Sequence, residues 1–391
     1  MRDSVPRLRR IAVVTGTRAE FGLLTPVIEG LKRHPRLEPS VVVAGMALSR
    51  EFGHTVRDVG SRFPVAARVP MMPSRDDFPA MGEALAKGLH GMLKAFRRLR
   101  PDAVVVLGDR AEAFAGALGG MYAGALVVHL HGGEVTNAGP DDPLRHATTR
   151  VAHLHLAATR LAADRLVRLG EEPRRVHVVG SLGVEQALRH RVPRARALED
   201  LGFPRDARYW LVLHHSVPGR EALALREFEA IVRAIESLQR KGDEAVVIYP
   251  NADAGGRALV RRLNALKRMG WRVFPSLPME EFHHALAHAE AMVGNSSAGL
   301  FETPVFGVPM VLVGDRQGDR ERGGNVIALR GGRAASASAI LSVLWRLRRE
   351  DPRLPRRPAR HPFGDGRASA RVVSILARLR RTRRWMQKRY A

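Results

Sequence analysis

Residues 294–302, Gly-Asn-Ser-Ser-Ala-Gly-Leu-Phe-Glu, have the composition of a phosphate-binding turn. They follow the apolar run 291–293. A strand that leads through small polar residues into a helix makes an anion site, because the free N–H groups and the dipole at the helix start favour negative charge. The segment holds two hydroxyl donors, a glycine that lets a phosphate approach, and a carboxylate suited to a ribose diol: Ser296, Ser297, Gly299 and Glu302. It indicates a nucleoside diphosphate, with an ordinary N-capped helix as the alternative.

Acidic side chains form three groups in the first half of the chain. These are Asp109 after residues 104–107, Glu134 after residues 126–129, and the pair Asp141 and Asp142. Carboxylates are costly to bury, and a site that holds several of them can separate their pKa values into proton-donor and proton-acceptor roles. We therefore predict acid/base chemistry. Structural ion pairs with Arg110 and Arg145 are the alternative, and Arg110 is also predicted to bind the substrate.

Other polar side chains stand where they could bind the rest of a nucleotide. They are Arg18 in the turn 15–22, His215 after residues 210–213, Asn251 after residues 245–249, and Arg316 and Arg320 in the segment 314–325. Arg18 suits bidentate phosphate binding, although a structural helix cap is an equal alternative there. His215 could donate to a departing phosphate or position the nucleotide, and Asn251 could bind a nucleobase or a hydroxyl. The two later arginines could clamp a diphosphate.

The histidines do not indicate a metal site. His131 and Glu134 have a ligand-like spacing, but the two intervening glycines disfavour the helix that such a pair needs. His153 and His155 would project from the same face of a strand, as core or interface histidines do. No group has convincing metal-ligand spacing, so we predict neither a metal nor a cofactor.

The elements that must hold these residues alternate between short apolar runs and amphipathic, helix-length segments. In the first half the predicted strands are 11–15, 41–44, 104–107, 126–129, 154–157 and 176–179, and in the second half 210–213, 245–249, 271–274, 291–293 and 310–313. Continuous apolar strands between helices predict an α/β fold with parallel sheets covered on both faces. A polar stretch at 189–208 separates two such halves, with a hinge near 180–191. Ligands bind such sheets at the carboxyl ends of the strands.

Composition bounds the class of protein. The 391 residues suffice for two domains, and 45% of them are hydrophobic, as in globular proteins. The apolar runs are strand-length, so we expect no membrane span. The chain has no cysteine, which excludes disulfides and thiolate chemistry and fits a cytoplasmic location.

The formal net charge of +25 raises the question of nucleic acid. Only six of the 64 basic residues are lysines, and the arginines are spread along the whole chain, so we expect no specific nucleic-acid partner. A positive field also suits an anionic nucleotide-sugar substrate. The tail 378–389 is the exception: it could contact phosphate or a membrane surface, or be a terminal helix with a solvated basic face. A Pro/Arg-rich connector, 351–361, and a helical stretch, 366–384, lead into it.

Taken together, the motifs resemble one family along nearly the whole chain. They are Thr-Gly-Thr-Arg at 15, Gly-Asp-Arg at 108, His-Gly-Gly-Glu-Val at 131, Asp-Asp-x-x-Arg-His-Ala at 141, Tyr-Pro-Asn-Ala-Asp-Ala-Gly-Gly-Arg at 249, Gly-Asn-Ser-Ser-x-Gly at 294, Gly-Asp-Arg-Gln at 314 and Phe-Gly-Asp-Gly at 363. In this order they resemble the hydrolysing UDP-N-acetylglucosamine 2-epimerases of sialic-acid-type sugar biosynthesis.

The resemblance implies an architecture and a set of roles. It implies the two Rossmann-like domains of B-type glycosyltransferases facing across a cleft: residues 1–185 with a returning C-terminal helix, 366–391, and residues 186–365. It also implies a homodimer or homotetramer without a metal. By similarity Asp109, Glu134, Asp141 and Asp142 would carry the chemistry. The nucleotide would be held by Arg18, His215, Asn251, Ser296, Ser297, Glu302 and Arg316.

The implied reaction removes the proton at sugar C2 as UDP leaves C1, and then hydrates the resulting glycal with proton return to the opposite face of C2. We expect Glu134 or Asp109 to be the base and Asp141 or Asp142 to be the second proton carrier. Rival hypotheses are a non-hydrolysing epimerase, a B-type glycosyltransferase and, last, a nucleic-acid-binding protein. The sugar stays open among N-acetylglucosamine, a 2,4-diacetamido-6-deoxy sugar and a GDP-linked relative.

Three positions depart from the family pattern. Ala47 stands where the family usually has histidine, Pro143 where serine is common, and Ser216 where proline usually follows the histidine. The first departure predicts the loss of a contact to the sugar or of an acid/base helper. The nucleotide half of the site is therefore predicted more firmly than the sugar half.

Overall fold

The computed structural model describes residues 9–331, 335–348 and 356–388, and its strands form two parallel sheets. The first sheet has seven strands in the order β3-β2-β1-β4-β5-β6-β7. They are β1 (Arg10–Thr15), β2 (Glu38–Ala44), β3 (Val65–Val69), β4 (Ala103–Leu107), β5 (Leu126–Leu130), β6 (Leu154–Ala157) and β7 (Val176–Val178). The α/β fold with parallel sheets predicted from the sequence is confirmed.

Helices cover both faces of this sheet. They are α1 (Arg18–Arg33), α2 (Val56–Arg62), α3 (Phe78–Leu99), α4 (Ala111–Tyr122), α5 (Asp141–Val151), α6 (Arg160–Arg168) and α7 (Leu182–Arg189), with short 3-10 turns at Gly45–Leu48 and Pro173–Arg175. Alternate residues of β1 serve the two faces: Ile11 and Val13 pack in the core beneath α1, and Ala12 and Val14 pack in the core beneath α3 and α4. Burial on both faces explains the continuous apolar run of β1.

The second sheet has six strands in the order β10-β9-β8-β11-β12-β13. They are β8 (Tyr209–Leu213), β9 (Glu244–Ile248), β10 (Arg272–Phe274), β11 (Met292–Gly294), β12 (Met310–Val313) and β13 (Val326–Leu329). The helices of this half are α8 (Arg194–Asp200), α9 (Glu221–Gln239), α10 (Gly256–Arg268), α11 (Met279–His288), α12 (Ala298–Phe301), α13 (Thr303–Phe306) and α14 (Ala337–Arg348).

The C-terminal helices, α15 (Ala368–Arg378) and α16 (Arg383–Met386), return to the first sheet. Val372 and Leu376 are fully buried in the core that α1 covers. Gly30 of α1 allows this close approach, since a Cβ there would lie 2.9 Å from Val373 Cγ2. The predicted crossing-back of the last helix is confirmed, and the exact domain boundaries stay a prediction.

Two strands and two helical regions differ from the sequence expectation. The edge strands β3 and β13 were not predicted, because most of their residues are only partly buried and so do not form a continuous apolar run. Helix α8 lies inside the stretch 189–208 that was predicted to be only a polar break. The single terminal helix predicted at 366–384 is instead two helices, α15 and α16.

The basic tail packs against the first sheet through Arg175. This arginine is fully buried, and its guanidinium donates to the backbone oxygens of Arg384 at 2.8 Å, Trp385 at 2.9 Å and Gln387 at 3.0 Å. Lys388 Nζ lies 2.6 Å from the carboxylate of Glu171. Up to residue 388 the tail therefore packs against the first domain. Residue 389 of the predicted tail and residues 351–355 of the predicted connector lie outside the described residues.

Replacing Arg175 with methionine is expected to lower the free energy of unfolding by about 3 kcal/mol. The change removes these charged hydrogen bonds to the backbone oxygens of the tail and also the one to the His153 oxygen in the first domain. Urea titration measures the effect, and limited proteolysis should then cut the tail more readily. Arg168→Met, a change at an exposed arginine of α6, is the matched control and should alter stability by no more than about 0.5 kcal/mol. An equal effect of the two changes would contradict the docking role.

No helix within residues 9–331, 335–348 and 356–388 is both long enough and apolar enough to cross a membrane.

Candidate active site

A cavity of about 240 Å³ lies between the carboxyl ends of the two sheets, and both halves of the chain line it. Ten of the residues predicted to form the site border it: Arg18, Asp109, Arg110, Asp141, His215, Asn251, Ser296, Ser297, Glu302 and Arg316. Three predicted residues do not border it: Glu134, Asp142 and Gly299. Residues on two separate sheets thus meet at one cleft, as the strand-end rule leads one to expect.

The turn after β11 brings Ser296 and Ser297 to the cavity wall. Asn295, which is fully buried, fixes this turn to the neighbouring strand end: its Oδ1 accepts from the His215 backbone N–H at 2.6 Å, and its Nδ2 donates to the His215 oxygen at 3.0 Å. The helix that follows is shorter than the sequence suggested, since α12 spans four residues before the chain kinks at Glu302. A helix of four residues has only a small dipole. An anion at this turn would therefore depend mainly on the serine hydroxyls and on nearby arginines.

Gly299 has a different role from the predicted one. A Cβ at this position would lie 2.2 Å from Met310 Sδ on β12. The glycine therefore allows α12 to pack on the sheet, and it does not open the backbone to a phosphate in the cavity. The sequence correctly indicated that another group approaches position 299 closely. That group is Met310 of the protein and not a phosphate.

Arg145 organises two of the predicted carboxylates. Its guanidinium is fully buried and forms ion pairs with Asp109 and Asp142. Asp142 also accepts from the Thr136 backbone N–H with both oxygens, at 2.9 and 2.8 Å. Asp142 therefore shapes the loop before α5 and does not face the cavity, whereas Asp109 borders it.

Glu134 is held by a contact across the cleft. Its Oε2 accepts from Arg320 Nε at 2.8 Å, and His131 Nδ1 lies 3.4 Å from its other oxygen. Burial pushes the pKa of Glu134 upward, but the charge of Arg320 and the contact with His131 outweigh it and hold the pKa below its usual range. Both Glu134 and Asp109 are paired with an arginine, but only Asp109 borders the cavity, so the geometry favours Asp109 as the base.

Asp109 and Asp141 both border the cavity, and their pKa values are shifted in opposite directions. Burial and the neighbouring charge of Asp109 raise the pKa of Asp141 to about 8, although Arg316, with Nη2 3.4 Å from Asp141 Oδ2, opposes the shift. Burial also acts to raise the pKa of Asp109, but Arg145 and Arg320 outweigh it and leave the pKa below its ordinary value. At neutral pH one carboxyl is therefore protonated and the other ionised, which is the arrangement of an acid/base pair.

Arg110 has protein partners, but they are not the carboxylates that the structural alternative assigned to it. Among the described ion pairs, Asp109 and Asp142 pair with Arg145 instead. Arg110 Nη1 lies 3.2 Å from Asp253 across the cleft and its Nε 3.4 Å from Glu112. Arg18 also has protein partners: Nη2 donates to the Gly53 oxygen at 3.0 Å and pairs with Asp58 at 2.7 Å. Arg110 and Arg18 still reach the cavity wall.

Glu20 is a cavity residue that the sequence reasoning missed. The Glu20 carboxylate accepts from the Thr17 backbone N–H at 3.2 Å, and Thr17 Oγ1 accepts from the Glu20 backbone N–H at 3.1 Å, so the two residues form a capping box at the start of α1. Burial and the charge of Glu112 raise the pKa of Glu20 to about 8. The spacing of Thr17 and Glu20 is the local signal that would have found it.

The histidines after β8 are buried and neutral. Burial and the charge of Arg316 lower the pKa of His215 well below its usual value, and His215 Nδ1 accepts from the Asn251 N–H at 3.1 Å. This contact joins two of the predicted nucleotide-binding residues. A neutral His215 has its Nε2–H left to donate toward the cavity, which fits the predicted positioning role.

The three departures from the family pattern have separate outcomes. Ala47 is buried in the core under α1, and its neighbour Met46 borders the cavity in its place. Pro143 lies in the first turn of α5, where proline is tolerated. Ser216 is buried beside Gly255, where a Cβ would lie 2.5 Å from the Ser216 Oγ.

Among the described residues, no three His, Asp or Glu side chains cluster as metal ligands.

The sequence is similar to that of one family of known proteins. A family model described as UDP-N-acetylglucosamine 2-epimerase matches residues 29–377. The UDP-N-acetylglucosamine 2-epimerase of Neisseria meningitidis is 33% identical over 321 residues, which cover 82% of this chain and 83% of that protein. This chain belongs to the UDP-N-acetylglucosamine 2-epimerase family. The resemblance read from the motifs is thereby confirmed.

Two further relatives of this epimerase family show the extent of the likeness. The UDP-N,N'-diacetylbacillosamine 2-epimerase (hydrolyzing) of Legionella pneumophila is 31% identical over 373 residues, which cover 94% of this chain and 96% of that protein. The crystal structure of Methanocaldococcus jannaschii UDP-GlcNAc 2-epimerase in complex with UDP-GlcNAc and UDP has a TM-score of 0.76 at 19% identity, covering 94% of this chain and 99% of that one. The epimerase fold, with its two sheets facing across a cleft, is therefore shared over nearly the full length.

Proposed function

We propose that this chain is a hydrolysing 2-epimerase that converts a UDP-linked 2-acetamido sugar, with water, to the free 2-epimer and UDP. The observation that carries the proposal is the meeting of Asp109 and Asp141, with opposite pKa shifts, and the Ser296–Ser297 turn in one cavity. An acid/base pair beside a diphosphate site is what elimination of a nucleotide from a sugar requires.

The second half of the chain supplies the nucleotide end of the site in this proposal. The hydroxyls of Ser296 and Ser297 and the guanidinium of Arg316 bind the diphosphate. Asn251 and His215, joined by their hydrogen bond, hold the uridine, and Arg18 reaches across from the first half. These roles are supported by the shared cavity wall. They are also supported by solved relatives, such as the Methanocaldococcus jannaschii enzyme, whose structures contain UDP-GlcNAc and UDP.

The first half supplies the proton transfers. Ionised Asp109 takes the proton from sugar C2 while the bond between C1 and the UDP oxygen breaks, which gives a glycal and UDP. Water then adds its hydroxyl to C1, and protonated Asp141 returns a proton to C2 from the opposite face. The remaining proton of that water passes to Asp141, and Asp109 releases the proton it took to solvent, which restores both carboxyls. Without substrate, Asp109 is a weak base because nearby arginines lower its pKa. Arg316 and Arg320 are two of these arginines. A diphosphate that neutralises them strengthens the base when substrate is bound.

The hydrolytic outcome and the identity of the sugar are the finer parts of the proposal. The hydrolytic outcome is supported by the motifs His-Gly-Gly-Glu-Val and Tyr-Pro-Asn-Ala-Asp-Ala-Gly-Gly-Arg and by the hydrolysing Legionella relative, which covers more of the chain than the Neisseria epimerase. The second candidate is a non-hydrolysing epimerase, which returns UDP to C1. It is supported by the Neisseria relative, which is a UDP-N-acetylglucosamine 2-epimerase without the hydrolysing designation of the Legionella enzyme.

A product assay separates the two candidates. The purified protein is incubated with UDP-N-acetylglucosamine, with a UDP-2,4-diacetamido sugar and with their GDP-linked counterparts, and the products are followed by proton NMR. The proposal expects UDP and a free 2-epimer in equal amounts. A UDP-linked 2-epimer would favour the second candidate, and no consumption of any of these nucleotide sugars would reject both.

The cytoplasmic location and the dimeric or tetrameric state stay predictions.

A further inference from the structure

A chain of three side chains leads away from the nucleotide cavity behind Glu302. Glu302 Oε2 lies 2.9 Å from His283 Nε2, and His283 Nδ1 lies 2.9 Å from His190 Nδ1. His283 is fully buried in α11, whereas His190 is half-buried at the end of α7. Neither Asp109 nor Asp141 contacts this chain, so the proton transfers proposed above make no use of it.

The contacts fix the donor to Glu302. An ionised carboxylate can only accept, so His283 donates to it through its Nε2–H. The other ring nitrogen of His283 lies 2.9 Å from His190 Nδ1. Burial and the nearby His283 lower the pKa of His190 to about 4, so the His190 ring is neutral at physiological pH. His283 is therefore held at both ring nitrogens, and one of them is committed to Glu302.

Packing around His283 and around Glu302 also fixes the position of the Glu302 carboxylate. The rings of Phe282 and Phe306 lie 5.8 and 6.0 Å from the ring of His283 and restrict its rotation. On the other side, the first turn of α7 closes against the carboxylate, since a Cβ on Gly183 would lie 2.9 Å from Glu302 Oε1. Gly183 and Glu302 both border the cavity. Within the described part of the chain Oε1 has no hydrogen-bond donor, so it is available to a ligand.

We propose that His283 is a positioning residue that aims the Glu302 carboxylate at the ribose hydroxyls of the nucleotide and so sets a preference for ribonucleotides over 2′-deoxyribonucleotides. This inference rests on the proposed function, in which the cavity binds a uridine diphosphate. A carboxylate with one oxygen engaged by a fixed donor presents its other oxygen in a single direction. A ribose diol, which offers two adjacent hydroxyl donors, is the ligand group that such an acceptor suits.

The test compares the affinities of UDP and 2′-deoxy-UDP, measured by calorimetry, for the full-length protein and its variants. The unaltered protein should bind UDP about tenfold more tightly, as expected for a hydrogen bond to a charged acceptor. His283→Leu removes the donor to Glu302 and should weaken UDP binding until the two affinities differ by about twofold or less, with 2′-deoxy-UDP affinity unchanged. His283→Gln keeps a donor near the Nε2 position and should retain most of the preference.

His284→Leu is the matched control. His284 is the next residue on α11 and also contacts a carboxylate, with Nδ1 2.9 Å from Asp200 Oδ2, but Asp200, unlike Glu302, does not border the cavity. Its loss should cost stability without changing the ratio of the two affinities. If His283→Leu weakens UDP and 2′-deoxy-UDP equally, or leaves their ratio unchanged, His283 has only a structural role and the inference is overturned.

Glu302→Ala separates this inference from the proposed function. If that change removes the preference while His283→Leu does not, the inference alone fails. If Glu302→Ala keeps the full preference, the assignment of Glu302 to the ribose is wrong, and the inference falls with it. If the unaltered protein binds neither nucleotide, the proposed function itself is rejected.

Discussion

Asp109→Asn is expected to reduce turnover by about 10²- to 10⁴-fold, the range that a positioned general base contributes. The amide cannot take a proton from sugar C2, but its oxygen can still accept from Arg145, which keeps its ion pair with Asp142. The buried arginine is therefore not left without an acceptor, and the fold should persist. Initial rates of UDP release from the nucleotide sugar measure the effect, and calorimetry should show UDP affinity within about threefold of the original.

The matched control is Glu290→Gln, which places the same amide at a buried carboxylate away from the cavity. Glu290 is almost fully buried, and Arg356 Nη2 lies 3.5 Å from it. This change should leave turnover within about threefold, because a substitution that does not touch the site alters stability and not the chemical step. Near-normal turnover in Asp109→Asn, or an equal loss in Glu290→Gln, would contradict the role of Asp109.

The second expected result concerns the pH profile and Asp141. Its pKa of about 8 means that the carboxyl is protonated below that pH and loses its proton above it. An acid that must deliver this proton makes kcat/KM fall as the pH rises through about 8, since kcat/KM reports the pKa values of the free enzyme. Asp141→Asn should lower the plateau by about 10²-fold and remove this alkaline limb. The profile is measured from pH 6 to 10 with UDP release as the readout.

Two outcomes would count against Asp141. An alkaline limb that persists near pH 8 in Asp141→Asn would assign it to another group, and Glu20, whose pKa is also about 8, is the cavity residue to examine next. A flat profile in the unaltered protein would show that no group with this pKa is needed. Melting temperatures of both proteins across the same pH range confirm that any limb reflects chemistry and not unfolding.

Local sequence patterns were enough to predict most of the fold. Central strands such as β1, β4 and β5 are buried on both faces, and this burial imposes the continuous apolar runs that identify them. The edge strands β3 and β13 carry no such constraint on their exposed positions and were missed. The turn that holds Ser296 and Ser297 was found because its small polar residues follow directly from a buried strand.

The site was predicted less completely, because long-range partners decide which side chain faces the cavity. Glu134 and Arg320 are 186 residues apart, and nothing near Glu134 in the chain reveals that this arginine pairs with the carboxylate. The same holds for Gly299, whose need for a small side chain comes from Met310 on another strand. Glu20, in contrast, was visible in a local capping pattern that the sequence reasoning did not use.

Solvent deuterium at sugar C2 is the most direct test of the central claim, that one cleft removes and returns a proton at the carbon beside the anomeric centre. The protein is incubated with UDP-N-acetylglucosamine, or with whichever nucleotide sugar it consumes, in deuterium oxide, and the product is examined by NMR and mass spectrometry. We expect a free 2-epimer with one deuterium at C2. A product that keeps protium at C2, or UDP release with the configuration at C2 unchanged, would contradict it.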